Sequence, residues 1–230
     1  MDIAEQLHTI QQNIKKACER SNRNSNDVTV VAVTKYVSVE RTRQAIEAGV
    51  EHIGENRLEG ALEKWEAFDG QAAFHFIGTL QSKKAKHIID KYDYLHSLDR
   101  LSLAKEIEKR CPEGKKIRCF VQVNASGEAS KSGLIPEETM DFIEKLRDFP
   151  SIEVVGLMTM APLEEDPEQT RPVFKRLKQL RDDIQKQDFD HAPCHELSMG
   201  MSNDYQVAVE EGATFIRLGS TLVGRDKANG

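Results

Sequence analysis

Eight short apolar segments, each followed by a longer charged and amphipathic segment, recur along the 230 residues of this chain. The apolar segments are residues 28–33, 52–55, 73–78, 94–98, 118–124, 154–160, 196–199 and 215–219. Strands that are apolar on both faces are typical of a parallel sheet covered by helices. Their alternation with amphipathic segments predicts an α/β fold.

The segments between these strands predict helices over residues 38–49, 56–68, 82–91, 100–110, 136–149, 167–187 and 203–211. Pro172 is a second candidate for the first turn of the 167–187 helix. Four aliphatic residues at helical spacing predict an extra N-terminal helix: Ile3, Leu7, Ile10 and Ile14. Eight repeated units favour a single (β/α)8 TIM-type barrel domain over residues 1–230, with a doubly wound open sheet as the alternative.

Composition and motifs argue against several classes of protein. The net charge of −6 argues against nucleic acid or an anionic membrane as partner. No apolar run approaches the ~20 residues that span a bilayer, and the first residues lack the features of a secretion signal, so we expect a cytoplasmic protein. The four cysteines are scattered without metal-ligand spacing, which predicts free thiols and no metal site. Neither a dinucleotide-binding nor a P-loop glycine motif is present.

Lys35 closes the apolar, β-branched run of residues 28–34 and is the most informative single residue. A lysine at this position can extend its amine from the strand end into water. The alternative is a lysine held at the mouth of the fold, where its amine forms a Schiff base with a carbonyl compound. The other residues expected at the carboxyl ends of the strands favour the second interpretation, because reactive groups of barrel enzymes collect there.

Two small hydroxyl-bearing turns follow the seventh and eighth strands. The first includes Ser198 and Ser202, and the second contains Gly219 and Ser220. Loops at these positions of a barrel often hold phosphate, because small residues let backbone N–H groups approach its oxygens. Two ordinary helix N-caps are the alternative.

Arg217 lies inside the apolar eighth strand, where an unpaired guanidinium is costly. It either forms a salt bridge with a barrel carboxylate, for which Glu55 is the candidate, or donates to an acceptor atom of a bound heterocycle. Asn56 would donate to a phenolate oxygen of the same ligand. An aldehyde for Lys35, a phosphate for the two turns and a ring nitrogen for Arg217 are all found in pyridoxal 5′-phosphate (PLP).

The chain resembles the PLP homeostasis proteins, which are single-domain relatives of the alanine racemase N-terminal barrel. The resemblance rests on seven stretches in order: AVTK at 32–35, GENR at 54–57, HFIGTLQ at 75–81, HSLD at 96–99, GLMTM at 156–160, LSMGMSND at 197–204 and IRLGS at 216–220. These stretches extend over nearly the whole chain. The resemblance implies that Lys35 carries PLP as a covalent Schiff base.

The resemblance also assigns the noncovalent contacts. The phosphate would be held by Ser202 and Ser198 together with the backbone of Gly219 and Ser220. Arg217 would face the pyridine nitrogen. The ring would be lined by three residues: Asn56, His75 and Met158.

The function implied is a reversible PLP carrier or buffer that works in intracellular PLP homeostasis and has no catalytic residues of its own. Alanine racemases take a second base from an added domain, and we expect no such domain here. Apo forms of PLP-dependent enzymes are the candidate recipients, and we expect a monomer. A small PLP-dependent amino-acid racemase is the first alternative. A phosphosugar-binding barrel, in which Lys35 would react with a ketose, is the second.

Overall fold

Parallel strands close into a barrel in the computed structural model, which describes residues 2–128 and 131–225. Each strand pairs with the next along the chain, and the eighth pairs with the first. The strands are β1 Thr29–Val33, β2 His52–Glu55, β3 Ala73–Phe76, β4 Tyr94–Leu98, β5 Ile117–Gln122, β6 Ile152–Met158, β7 Glu196–Met201 and β8 Phe215–Leu218. The predicted barrel is confirmed, and the open sheet is excluded.

Helices surround this barrel. The α-helices are α1 Ile3–Arg20, α2 Val39–Glu47, α3 Leu58–Phe68, α4 Leu101–Arg110, α5 Pro136–Lys145, α6 Arg171–Gln185 and α7 Tyr205–Glu210. Short 3-10 helices cover Ser25–Asp27, Ser82–His87, Leu146–Asp148 and Pro167–Thr170. Within the described part of the chain, no helix has the length and apolar content needed to cross a membrane.

The predicted N-terminal helix is confirmed as α1. The Asp2 carboxylate caps it by accepting from the backbone N–H groups of Ala4 and Glu5. Its apolar face is buried, and its polar side chains tie it to α7. Asn13 donates to the Tyr205 hydroxyl over 2.9 Å, and Arg20 pairs with Glu210 over 2.6 Å.

The helix predicted over residues 82–91 is wrong. A 3-10 helix occupies Ser82–His87, and turns complete the segment. Only three apolar side chains anchor this segment, so it has too few for a longer amphipathic helix. Three lysines and a histidine crowd its exposed side, and the N-cap residue makes no side-chain cap bond.

Three helices begin two or more residues later than the sequence pattern suggests. α3 begins at Leu58 rather than at residue 56, and α7 begins at Tyr205 rather than at residue 203. α6 begins at Arg171, so Pro172 lies in its first turn, as the alternative prediction required. The residues left outside α3 and α7 keep non-helical backbone at the carboxyl ends of the strands.

The interior of the barrel contains aromatic rings and imidazoles in addition to the aliphatic side chains usual in such barrels. His75 stacks on Tyr94 and His96 stacks on Phe120, each with ring centroids 4.3 Å apart. Both histidines are fully buried. Burial holds the pKa of His75 and of His96 well below the usual value, so both imidazoles are neutral.

This burial predicts acid sensitivity of the fold. Each of the two histidines gains a proton on unfolding below the unfolded-state pKa of about 6.5, so the free energy of unfolding falls as the pH falls through that value. The limiting slope is about 1.4 kcal/mol per pH unit for each histidine. Urea denaturation over a pH series measures the slope.

Two variants isolate the contribution of the buried histidines. His75→Phe keeps a ring against Tyr94 and should reduce the slope by one histidine's share. His8 is exposed, so His8→Gln should leave the slope unchanged. Equal slopes in the wild type and in His75→Phe would contradict the buried neutral state.

Candidate functional site

A cavity of about 560 Å³ opens at the carboxyl ends of the strands. Six of the predicted site residues line it: Lys35, Asn56, Ser202, Arg217, Gly219 and Ser220. They come from the ends of β1, β2, β7 and β8. The closed barrel therefore brings together groups from the two ends of the sequence.

Lys35 lies two residues beyond β1 and projects its amine into this cavity. The side chain is exposed, so the amine reaches water and avoids the cost of a buried charge. Its Nζ lies 4.9 Å from the ring centroid of Tyr36. Among residues 2–128 and 131–225 no carboxylate forms an ion pair with it. An amine without an ion-pair partner at the mouth of a barrel is available to react.

The backbone beneath Lys35 is held by a buried ion pair. Lys64 of α3 donates to the Glu55 carboxylate over 2.6 Å and to the Thr34 carbonyl over 2.5 Å. The Thr34 hydroxyl donates to the same carboxylate over 2.5 Å. All three side chains are almost fully buried. Thr34, the residue before Lys35, is therefore fixed by two charge-assisted hydrogen bonds, one to each member of the ion pair.

Glu55 consequently does not pair with Arg217, as one interpretation of the sequence proposed. Arg217 is only 4 % exposed and donates to the Ser198 hydroxyl over 2.5 Å and to the Thr159 carbonyl over 3.0 Å. Burial lowers its pKa to about 10, against the opposing effect of the Asp204 charge. Within the described residues no carboxylate bonds to this guanidinium, so its positive charge at the cavity wall is held by neutral acceptors.

The two turns predicted to hold phosphate lie side by side at the cavity. The hydroxyls of Ser202 and Thr221 are 2.8 Å apart, which links the turn after β7 to the turn after β8. In the described part of the protein, the backbone N–H groups of Ser202, Asn203, Ser220 and Thr221 donate to no protein group. A concave pair of turns with free N–H groups is suited to an anion.

Gly200 gives the first turn its shape. Its φ of +94° is a conformation that side chains rarely adopt, and an added Cβ would lie 2.6 Å from Ala208 Cβ. The Met201 N–H donates to the Asp204 carboxylate over 2.7 Å, which closes the turn. The glycine is therefore required for β7 to pass directly into α7.

Asn56 lies at the end of β2 and lines the cavity with non-helical backbone. Its amide oxygen is buried and has no hydrogen-bond partner among the residues that the structure describes. Gly78 permits the close approach of the next strand, because an added Cβ there would lie 2.4 Å from the Asn56 carbonyl oxygen. An unpaired buried amide atom in a cavity wall marks a place for a hydrogen-bonding ligand.

Three predicted site residues do not line the cavity: His75, Met158 and Ser198. Side chains two positions apart on a strand share a face. These three residues therefore point into the barrel as the mouth residues do, but they are buried one layer deeper. Ile77 takes the position at the mouth expected of His75, and Met160 takes that of Met158. Ser198 lies beneath the mouth and contacts Arg217 instead.

Sequence reasoning also missed several contributors. Gln122, Thr79 and Asn203 line the cavity, and Thr221 joins its two turns. Lys64 was indistinguishable from a solvent-facing helix lysine. Its spacing from Ala61 and Phe68, which share the buried face of α3, is the one signal that could have identified it.

The sequence matches the family model described as "Alanine racemase, N-terminal domain" over residues 6–227. It is 41 % identical over 229 residues to the pyridoxal phosphate homeostasis protein of Aquifex aeolicus, which covers 99 % of this chain and 100 % of that relative. The chain belongs to the family of pyridoxal phosphate homeostasis proteins. The resemblance inferred from the seven motifs is confirmed.

Solved structures place this homeostasis-protein barrel beside two others. PipY of Synechococcus elongatus PCC7942, solved with PLP bound, has a TM-score of 0.82 and 30 % identity, with 96 % of this chain and 100 % of PipY covered. Alanine racemase of Clostridium difficile has a TM-score of 0.74 and 17 % identity, with 99 % of this chain and 58 % of the racemase covered. The second similarity establishes the shared barrel fold alone.

The buried ion pair beneath Lys35 gives a stability prediction. Lys64→Met keeps the length of the side chain but leaves the Glu55 carboxylate buried without its cation, which should cost about 3–5 kcal/mol of unfolding free energy. Lys186→Met removes the cation from an exposed pair with Asp183 and should cost far less, because solvent screens that pair. Chemical denaturation compares the two variants, and equal losses would contradict the structural role of Lys64.

Proposed function

We propose that this protein binds PLP reversibly through Lys35 and acts in intracellular PLP homeostasis as a carrier or buffer. The observation that carries the proposal is that three groups suited to an aldehyde, a phosphate and a ring nitrogen line one cavity. They are Lys35, the linked turns at Ser202 and Thr221, and Arg217. The names of the family members and the PLP-bound structure of PipY support the same ligand.

The residues present fit PLP. The free N–H groups of the two turns supply donors for phosphate oxygens. The unpaired amide of Asn56 supplies a hydrogen-bonding group at the ring, and its nitrogen can donate to a phenolate oxygen after a half-turn of the amide. The cavity volume of about 560 Å³ is within the range of small-molecule sites.

Lys35 supplies the covalent attachment. Its amine condenses with the aldehyde to form a carbon–nitrogen double bond, and the aldehyde oxygen leaves as water. Hydrolysis reverses the bond, which is what release of the cofactor requires. The Glu55–Lys64 pair fixes the strand end that presents Lys35, so the reacting amine keeps its position relative to Arg217.

Arg217 favours binding over catalysis. Its guanidinium can only donate, so it bonds to an unprotonated pyridine nitrogen and disfavours protonation of the ring. An unprotonated ring withdraws fewer electrons from a bound amino acid, which slows removal of a Cα proton. Racemisation at this site would therefore depend on well-placed acid and base groups on both faces of the substrate Cα.

Racemisation also needs a second acid or base, and the described cavity lining offers few candidates. Among the described residues that line the cavity, Tyr36 is the one tyrosine. The Tyr205 hydroxyl accepts from Asn13 of α1, and the Tyr92 hydroxyl donates to the Ala61 carbonyl outside the cavity. The names of the full-length relatives describe homeostasis rather than racemisation, so the racemase alternative is the weaker one.

Cofactor release has further consequences for partners and location. We propose that apo forms of PLP-dependent enzymes are the recipients and that the protein works in the cytoplasm. A monomer is sufficient for binding, because a single copy supplies the entire described lining of the cavity. The net charge of −6 argues against nucleic acid as a partner and is compatible with protein recipients.

Absorption spectroscopy tests the proposed ligand. The purified protein incubated with PLP should show the visible band of a lysine-bound aldehyde, and Lys35→Ala should abolish that band. Lys84→Ala is the matched control, because Lys84 is an exposed lysine outside the cavity lining and should leave the band unchanged. A band retained in Lys35→Ala would contradict the proposal. The phosphosugar alternative predicts that no band appears.

The same PLP-loaded protein tests the carrier against the racemase. The α-proton of added amino acids should exchange with D2O far more slowly than the ~1 s⁻¹ of working enzymes. Exchange at that rate or above would establish catalysis and overturn the carrier assignment.

A further inference from the structure

A chain of hydrogen bonds runs through the barrel interior from the cavity to the opposite end. Arg217 donates to Ser198 Oγ over 2.5 Å, and Ser198 Oγ lies 2.8 Å from His96 Nδ1. His96 Nε2 lies 2.8 Å from His75 Nδ1, and His75 Nε2 lies 2.9 Å from His52 Nδ1. We name Ser198, His96, His75 and His52 the relay.

The two ends of the relay face different surroundings. His52 is the first residue of β2 and lines a second cavity, formed by α1 and the amino ends of β1 and β2. Arg217 lines the cavity at the carboxyl ends. The side chains between them are fully buried. The relay therefore spans the barrel without contact with water along its middle.

The direction of every hydrogen bond in the relay follows from Arg217 and from the acceptor available to the Ser198 hydroxyl. A guanidinium cannot accept, so Ser198 Oγ accepts from Arg217. Within the described residues, His96 Nδ1 is the acceptor in reach of the Ser198 hydroxyl hydrogen, so Ser198 donates to it. His96 must then carry its hydrogen on Nε2 and donate to His75 Nδ1. By the same reasoning His75 carries its hydrogen on Nε2 and donates to His52 Nδ1. The three imidazoles thus share one tautomer, with the hydrogen on Nε2.

Neutral imidazoles are necessary for this pattern, because a protonated ring would present two donors to its neighbours. Burial lowers the pKa of His52 as well as that of His75 and His96, which maintains the neutral state. The charged groups facing His52 are Glu51, Arg118 and Asp93. Aligned hydrogen bonds polarise one another in a low-dielectric interior, so each strengthens the next.

We propose that His75 and His96 are positioning residues for Arg217, and that the relay sets the hydrogen bond which Arg217 offers to the ring nitrogen of the bound cofactor. The proposal rests on PLP as the ligand. The relay fixes the Ser198 hydroxyl as an acceptor and so determines where the guanidinium points. A change at His52, at the far end of the barrel, therefore alters the hydrogen bond that Arg217 makes with the cofactor ring.

Histidine tautomers in the protein without added PLP provide the first test, which does not depend on the proposed function. ¹⁵N NMR of protein labelled at histidine should show the Nε2–H tautomer for the three relay histidines. Ser198→Ala should shift the His96 Nδ1 resonance. Ser97→Ala is the matched control, because the hydroxyl of Ser97, the residue after His96, is buried and has no hydrogen-bond partner within the described part of the chain. An Nδ1–H tautomer at His96 would overturn the proposal.

The absorption maximum of bound PLP provides the second test. His52→Leu removes the last acceptor of the relay and should displace the maximum, with a change in Kd below about tenfold. His52→Asn restores an acceptor near the Nδ1 position and should return the maximum toward that of the wild type. Ser198→Ala should displace it, and Ser97→Ala should not.

The outcomes separate this inference from the proposed function. Absence of any PLP band with the expected tautomers would refute PLP as the ligand and leave the relay geometry intact. An unchanged maximum in both His52→Leu and Ser198→Ala would show that the relay is structural only, and would overturn the positioning role.

Discussion

The pairing of β1 with β8 is the constraint on which the site depends. Ala32 lies in register with Leu218, so the chain leaves both strands side by side at the same end of the barrel. Lys35 follows the first strand, and the Gly219–Ser220 turn follows the last. Without closure of the barrel, the amine and the anion-binding turn would lie at opposite edges of an open sheet.

Two buried cations near this junction are stabilised in different ways. Lys64 has the Glu55 carboxylate and the Thr34 carbonyl as partners, so its charge is balanced inside the protein. Arg217 bonds to a hydroxyl and a carbonyl, so much of its charge remains available at the cavity wall. A buried charge without a counter-ion is costly, and proteins retain such charges mainly at functional sites. The first cation supports the backbone, and the second is available to a ligand.

The strand pattern predicted most of this arrangement because each strand is apolar on both faces and each connection is amphipathic. Lys35 and Arg217 could be identified because a charged residue at the end of an apolar strand, or inside one, is costly unless it has a partner or a function. The failed 82–91 helix had the composition of a helix but too few buried side chains to support one. The spacing of apolar residues along the sequence does not show how many side chains the fold will bury.

The depth of each side chain along the barrel axis was the main property that could not be predicted from the sequence. His75 and Met158 belong to the same strand faces as the cavity residues Ile77 and Met160, but one layer lower. Strand pairing sets that layer, and one sequence does not contain the register. The relay was hidden for the same reason, since its four members come from β2, β3, β4 and β7.

Reductive trapping tests the covalent attachment most directly. Borohydride reduction of the PLP-loaded protein, followed by peptide mass mapping, should place the pyridoxyl label on the peptide that contains Lys35. A label on a different lysine, or no label on the protein, would contradict the central claim.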